Sequence, residues 1–570
     1  MAKNFNYGNV ASVSRRRTKF PDNWEVKTTM SVGKLYPIKW QEVLPGDDFS
    51  EDLSFVSRLT STYIRPVYEN LQLSVYAFFV PGRILYDDYE SVFGNPNPSA
   101  YSDNELGEIP CFNNPFTVTS GSVGDYLELP VGHIAPNGNV SVLPFRAFAM
   151  IYNQWFRDQN NVDEVLVQRG ALNESLESPN YNVWSASNYS GQLPSVKKYP
   201  DYFTTAVPSP QKGAPVALPV IGFADVPVVT KGSDLTTSQL NMTGLHFREY
   251  NTSGVWISGQ NSGNLSLVGD ASGVQTARRS GSSASTPING SLVPSNLYAQ
   301  TSDLSPQSVT VDEFRLAMQR QLMLVADTMY GSRYREYILG HYGVNMKDDR
   351  AQVPEFLCGK SIPLAQQQVA QTTQNTDDKI GVGNLSSYSY TASRSGRYFK
   401  GFVEHGYVFW VGCLRYKHTY QQGVAKKWTR KVRDDFFDPL YSHIGYQPIY
   451  SSELYALNSG SGVSDPVKGS KIFGYQEAWS EYKHTPSVIT GQARSAAPNT
   501  LDLYHFGDNY TNAPVIGKQF VEETPTFVNR TLAVPSTTQD TFIFDFYCKS
   551  TKTRVMPLNC VPGYSDHWFK

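Results

Sequence analysis

The chain has 570 residues, enough for several domains or for one large β-sandwich with long loops, so length alone leaves the domain count open. Lys and Arg number 49 against 51 Asp and Glu, which excludes a global field that would gather nucleic acid or acidic membrane, so any polyanion contact must be local. Charged residues make up only 18% and aromatics reach 13%, a balance that suits extensive subunit interfaces or a large aromatic core.

From the N-terminus, MAKNFNYGNVASVSRRRTKF lacks the apolar run of a secretory signal, and no stretch approaches the length of a membrane helix, so folding in a cytoplasm is expected. Arg15, Arg16, Arg17 and Lys19 lie in a polar arm expected over residues 1–30. Leu71, Leu73, Val75, Ala77 and Phe79 alternate as one face of a strand. Pro144, tolerated in a first turn, opens a short helix with Phe145, Phe148, Tyr152 and Trp155 at helical spacing. From Asn251 to Asp303 the chain is rich in Gly, Ser, Asn and Thr with only four charges, which reads as a surface insertion in which Val255, Trp256 and Ile257 suggest short strands. A longer helix starts near Thr310 with a capping box to Glu313. Its stripe of Phe314, Met318, Leu322, Val325 and Met329 is expected to pack against a core. Tyr407 to Lys417 is apolar on both faces, as in a strand covered twice. Phe542, Phe544, Phe546 and Cys548 alternate as a core strand. Strands this far apart in one sheet require long excursions of the chain.

Enzyme chemistry finds little footing. There is no nucleophile elbow, phosphate loop, His-Glu-x-x-His or dinucleotide fingerprint. The adjacent acid pairs, such as Asp47 with Asp48 and Glu522 with Glu523, read as solvated turns or ion-pair partners. The nine histidines are scattered singly, with His405 and His443 read as structural. Cys111, Cys358, Cys413, Cys548 and Cys560 are odd in number and lack zinc spacing, so they are expected as reduced, buried thiols. No catalytic residue, metal or cofactor is expected. Two basic clusters are candidates for phosphate contact: Arg15, Arg16, Arg17 and Lys19 in the arm, and Lys426, Lys427, Arg430, Lys431 and Arg433 around Trp428. The competing reading of each is a solvated face or a set of ion pairs, and for Trp428 a place in the core rather than base stacking.

At NQWFRDQN, residues 153–160, the chain resembles major capsid proteins of the Microviridae, especially the gokushovirus branch. Further similar segments follow in order: KTTMSVGKLYPIKWQEVLPGDDF from Lys27, FFVPGRILYDDY from Phe78, KKYPDYFTTAVPSPQKG from Lys197, GSRYREYILGHYGV from Gly331, TYQQGVAKKWTRKVRDDFF from Thr419, IFGYQEAWSEYKHTPSVITGQARS from Ile472 and RVMPLNCVPGYSDH from Arg554. The resemblance implies a mainly β fold, a single eight-stranded jelly-roll β-sandwich with long loop insertions and a few helices. It divides the chain into the arm, a jelly-roll core over 31–225 and 307–570, and an insertion over 226–306 that projects at threefold axes. It implies a non-enzymatic subunit of a T=1 icosahedral shell around circular single-stranded DNA, assembled in the bacterial cytoplasm and residing in the virion. Copies of the same chain, the packaged DNA, a small basic DNA-binding protein, a pilot protein, an internal scaffolding protein and a host surface receptor are the partners it implies, with no membrane insertion. Of the two basic clusters, the arm is the better candidate to face DNA, because a polar arm can follow an irregular strand. The alternative reading is a secreted or surface carbohydrate-binding β-sandwich module, which the aromatic content suits. A β-rich hydrolase would need acids converging in one cleft.

Overall fold

Eight strands carry the architecture of the computed structural model: β1 (Trp24–Met30), β2 (Leu35–Val43), β3 (Asp48–Leu59), β4 (Gln72–Pro81), β5 (Glu355–Pro363), β6 (Leu385–Gly401), β7 (Gly406–Arg415) and β8 (Phe542–Arg554). The structure describes residues 16–69, 71–93, 107–112, 115–134, 140–172, 184, 189–214, 216, 311–331, 333–370, 372, 385–456 and 471–559, with the backbone of six short strands between 228 and 299. Two antiparallel sheets run in the orders β1-β8-β3-β6 and β5-β4-β7-β2. The pairs β1 with β8, β2 with β7, β3 with β6 and β4 with β5 each join strands equally far from the two ends of the series. A long antiparallel ribbon rolled on itself has this connectivity, which is that of a jelly roll. The long excursions lie between β4 and β5 and between β7 and β8.

The residue pattern explains which faces meet. Phe542, Phe544, Phe546 and Cys548 of β8 are fully buried while Ile543 and Tyr547 between them are exposed, so β8 has one wet face. Each buried ring contributes roughly 2 kcal/mol from apolar area removed from water. Strand β7 is buried at every position, as its two apolar faces predict. Strand β4 departs from the half-buried expectation, since Ser74 and Phe78 are buried along with the Leu71-to-Phe79 row. The reason is a second layer: helix α1 (Leu143–Ile151) runs into a wider π turn at Tyr152–Phe156, which sets Trp155 5.5 Å from Phe78 between ring centres. Within α1, Arg146 is fully buried and donates to the carbonyls of Leu85 and Ala171.

The N-terminal arm is shorter than expected. Thr18–Pro21 and β1 both pair with β8, separated by Asp22 and Asn23, so residues 18–30 belong to the sheet. Pro215–Met323 form a second compact unit. Inside it three antiparallel pairs are nested: Val228–Thr230 with Leu297–Ala299, Phe247–Tyr250 with Ser291–Pro294, and Leu265–Gly269 with Gln275–Arg279. Val255, Trp256 and Ile257 lie outside the described residues, as do Thr310 of the proposed capping box and Cys560. The helices α2 (Val311–Tyr330) and α3 (Tyr334–Tyr342) follow. No helix among the described residues is long and apolar enough to cross a membrane.

Candidate functional site

The two basic clusters meet different fates. Arg15 lies outside the described residues. Arg16 is exposed, Arg17 pairs with Asp48 at 2.5 Å, and Lys19 is an exposed position of the strand that pairs with β8. In the second cluster Lys426 and Arg430 turn inward onto Glu481, at 3.5 and 3.4 Å, and the Arg430 guanidinium lies 4.1 Å from the Tyr482 ring centre. Arg433 pairs with Asp438, while Lys427 and Lys431 are exposed. The ion-pair reading therefore holds for part of this cluster. Trp428, expected in the core, is 78% exposed.

That exposure belongs to a wider surface. Between Val424 and Ile444 the backbone makes only short 3-10 turns, at Lys426–Trp428, Arg433–Asp435 and Pro439–Tyr441. The segment is nonetheless tied down: Asp435 accepts from the amides of Lys431 and Val432, and Asp438 from that of Leu440. Phe436 and Phe437 are half exposed and Leu440 is 88% exposed. An ordered backbone presenting several apolar side chains to water marks a surface that another macromolecule covers.

Helix α2 repeats the pattern and corrects an expectation. Its stripe does not pack against a core: Phe314, Met318 and Met329 are about half exposed, Leu322 is 59% exposed, and only Val325 is partly covered. Amphipathic spacing demands an apolar partner but does not say that the partner is in the same chain.

Two buried polar centres escaped the sequence reading. His418, whose side chain is 1% exposed, has Nδ1 2.8 Å from Asp508 and Nε2 3.1 Å from Glu523, both fully buried acids. Burial alone would lower its pKa, but the charges of Glu523 and Asp508 and the hydrogen bonds to both outweigh it and raise the value to about 9. Tyr510 donates to Asp508 at 2.6 Å and Lys198 stands 4.0 Å from the same acid. Local sequence carries no signal for this, since 90 residues separate His418 from Asp508. Of the histidines read as structural, His405 stacks on Phe93 with ring centres 4.1 Å apart, whereas His443 is exposed.

The second centre is Glu51, an inward-facing position of β3 with no exposure. Its Oε2 accepts from Trp410 Nε1 at 2.6 Å and Tyr398 OH at 2.9 Å, and its Oε1 from Gln41 Nε2 at 2.9 Å, Ser550 Oγ at 3.1 Å and Trp24 Nε1 at 3.4 Å. The donors come from both sheets, and none is cationic. Burial and then the Glu51 charge push the Cys358 thiol up to about 12 and that of Cys548 higher still. Both are far from the thiolate state that reactive cysteines need. Cys413 is also buried, while Cys111 and Cys358 are only partly so. These centres are sealed, so they hold structure and present no cleft to a substrate. No cluster of metal-ligating side chains occurs among the described residues.

The sequence profile of a family described as capsid protein (F protein) matches residues 8–564. The chain is similar to capsid protein VP1 of Chlamydia phage 1, 33% identical with 98% of this chain and 97% of the relative covered. It is 34% identical to capsid protein VP1 of Spiroplasma virus 4, over 94% of this chain and 92% of the relative. With capsid protein VP1 of Bdellovibrio phage phiMH2K the identity is 35%, over 98% and 97%.

Proposed function

Because this chain belongs to the capsid protein (F protein) family, and is a major capsid protein of the virion rather than an enzyme, we propose that its copies close into a T=1 icosahedral shell around circular single-stranded DNA. Family membership decides against the carbohydrate-binding module. The observation that carries the assembly reading is the apolar surface that a single copy leaves wet: the α2 stripe and the ordered loop from Trp428 to Ile444. Closed symmetry requires each copy to present several such surfaces to neighbours. Electron microscopy and sedimentation of the purified chain test this. Uniform closed particles are expected, and Trp428→Ser with Leu440→Ser should stop closure while leaving the melting temperature of the free chain unchanged. Monodisperse monomers under every assembly condition would refute the reading.

Finer assignments follow the resemblance. The insertion over 226–306 projects at the threefold axes and meets the host receptor. Assembly takes place in the bacterial cytoplasm, with an internal scaffolding protein, a pilot protein and a small basic DNA-binding protein as partners. The arm faces the genome: Arg16 and Lys19 are exposed and carry no ion pair among the described residues, whereas Lys426 and Arg430 are committed to Glu481. Replacing Arg15, Arg16, Arg17 and Lys19 by Gln should lower the DNA content and salt stability of particles. Unchanged values in both would dismiss the arm, and failure of empty shells to form would recast it as a subunit contact.

A further inference from the structure

A cavity of about 440 Å³ opens beside the turn that follows α1, and the charges on its wall do not balance locally. Its acids are already engaged. Asp158 Oδ2 accepts from the amides of Asn160 and Asn161 and from Asn161 Nδ2, closing its own turn. Glu336 is held by the Arg333 side chain and amide, and Glu477 by Lys483 at 2.6 Å. The cations are not all matched. Arg333 also donates through Nη2 to the carbonyls of Asn153 and Arg157, and Lys198 faces Asp508.

Arg157 and Lys197 are left over. Arg157 is 9% exposed; its Nη1 donates to Val162 O at 2.6 Å, and its Nε has no hydrogen-bond partner among the described residues. Lys197 is half-buried, and its Nζ makes no hydrogen bond or ion pair with any described residue. Burial lowers the pKa of both side chains; for Arg157 the nearby Arg333 lowers it further against the charges of Glu164 and Asp158, and for Lys197 the Asp158 charge opposes burial while Arg333 and Arg415 add to it. A buried guanidinium with an unmet Nε and a half-buried ammonium with no bonded acceptor among the described residues, beside a space of this size and with Arg333 near both, leave room for an anion to join them. An oxyanion would supply charge-assisted acceptors to both.

We propose that this cavity binds a phosphate group, with Arg157 and Lys197 as its anchors and Arg333 strengthening the positive field. The phosphate comes either from the backbone of a single-stranded nucleic acid or from the free ion, and both satisfy the same geometry. The site shares no residue with the N-terminal arm, so failure of either assignment leaves the other intact.

The test titrates inorganic phosphate and, separately, a short single-stranded oligodeoxynucleotide into the full chain, with chloride at matched ionic strength as reference. Binding is read by calorimetry and by the rise in unfolding temperature. Lys197→Gln is the informative variant, because no bond among the described residues depends on its Nζ, and Lys197→Arg is the rescue. Loss of one charge-assisted contact should weaken phosphate affinity by about tenfold in Lys197→Gln. Lys197→Arg should restore most of it. Lys197-dependent binding of phosphate alone assigns the site to the free ion, and Lys197-dependent binding of the oligonucleotide assigns it to the nucleic-acid backbone. If neither probe binds, or if both bind Lys197→Gln as tightly as the unaltered chain, the site does not exist.

Discussion

Replacing Glu51 by alanine removes the acceptor that five donors share between the sheets. Trp410, Tyr398, Gln41 and Ser550 all reach Glu51 within 3.1 Å from buried positions, and Trp24 at 3.4 Å is the weakest member. A stranded buried donor costs about 1–3 kcal/mol, so four of them make Glu51→Ala destabilising by about 4 kcal/mol or more, even at the low end of that range. Set against a typical total stability of about 5–15 kcal/mol, the variant stands near the limit of folding. Glu51→Gln should behave differently. Its carbonyl can serve Trp410 and Tyr398, while its new amide faces Gln41, whose Oε1 has no partner among the described residues and becomes an acceptor when that side chain turns over. Ser550 can likewise accept. The expected cost is about 1 kcal/mol, the difference between charge-assisted and neutral hydrogen bonds. Urea unfolding of the purified chain, followed by the fluorescence of Trp410 and its neighbours, reads both values. The reasoning fails if Glu51→Ala costs under about 1 kcal/mol, or if Glu51→Gln costs as much as Glu51→Ala.

Other expectations are more quickly stated. The folded pKa of His418 lies near 9 against an ordinary 6.5, so its contribution is fully present below pH 6.5 and is lost as pH rises through 9. The gap is worth at most about 3.5 kcal/mol, and His418→Gln should flatten stability between pH 6.5 and 9; an unchanged slope would clear His418 of that role. Gly33 has φ +93°, and a Cβ there would sit 2.5 Å from the carbonyl oxygen of Glu523, so Gly33→Ala should lower stability by about 2 kcal/mol or more in the same denaturation assay. Deleting 226–306 should leave the unfolding transition of the sandwich in place, and loss of that transition would mean the segment is part of its core. Phe314→Ser with Leu322→Ser should abolish particle closure in sedimentation while the free chain keeps its melting temperature, and normal particles would remove α2 from the interfaces.

The sandwich strands were legible in the sequence because burial on one face leaves a period of two, as in β8, and burial on both leaves a continuous apolar run, as in β7. For β4 the period was visible but the second covering layer was not, since Trp155 and Phe156 arrive from a different part of the chain. The α2 stripe is apolar, as its spacing predicts, but exposed, because periodicity reports the need for a partner and not its address. Trp428 differs from the expected core position in the same way, since an aromatic side chain need not be covered by its own chain. His418 and Glu51 were invisible for another reason: their partners lie 10 to 499 residues away, and no local spacing encodes a contact made only by closing the fold.

The pairing rule of the eight strands also sets a schedule for synthesis. Strand β8 fills the place between β1 and β3, so until Phe542–Arg554 have left the ribosome both of those strands keep open edges. Such edges are templates for wrong partners, and contacts of such long sequence separation form slowly. The sandwich must therefore stay unfinished until that segment has been made, with its N-terminal strands waiting for it. A prematurely terminated product lacking β8 has no closed sandwich to offer a growing shell. Translational errors are thereby kept out of the particle by topology, before any neighbouring subunit has to discriminate against them.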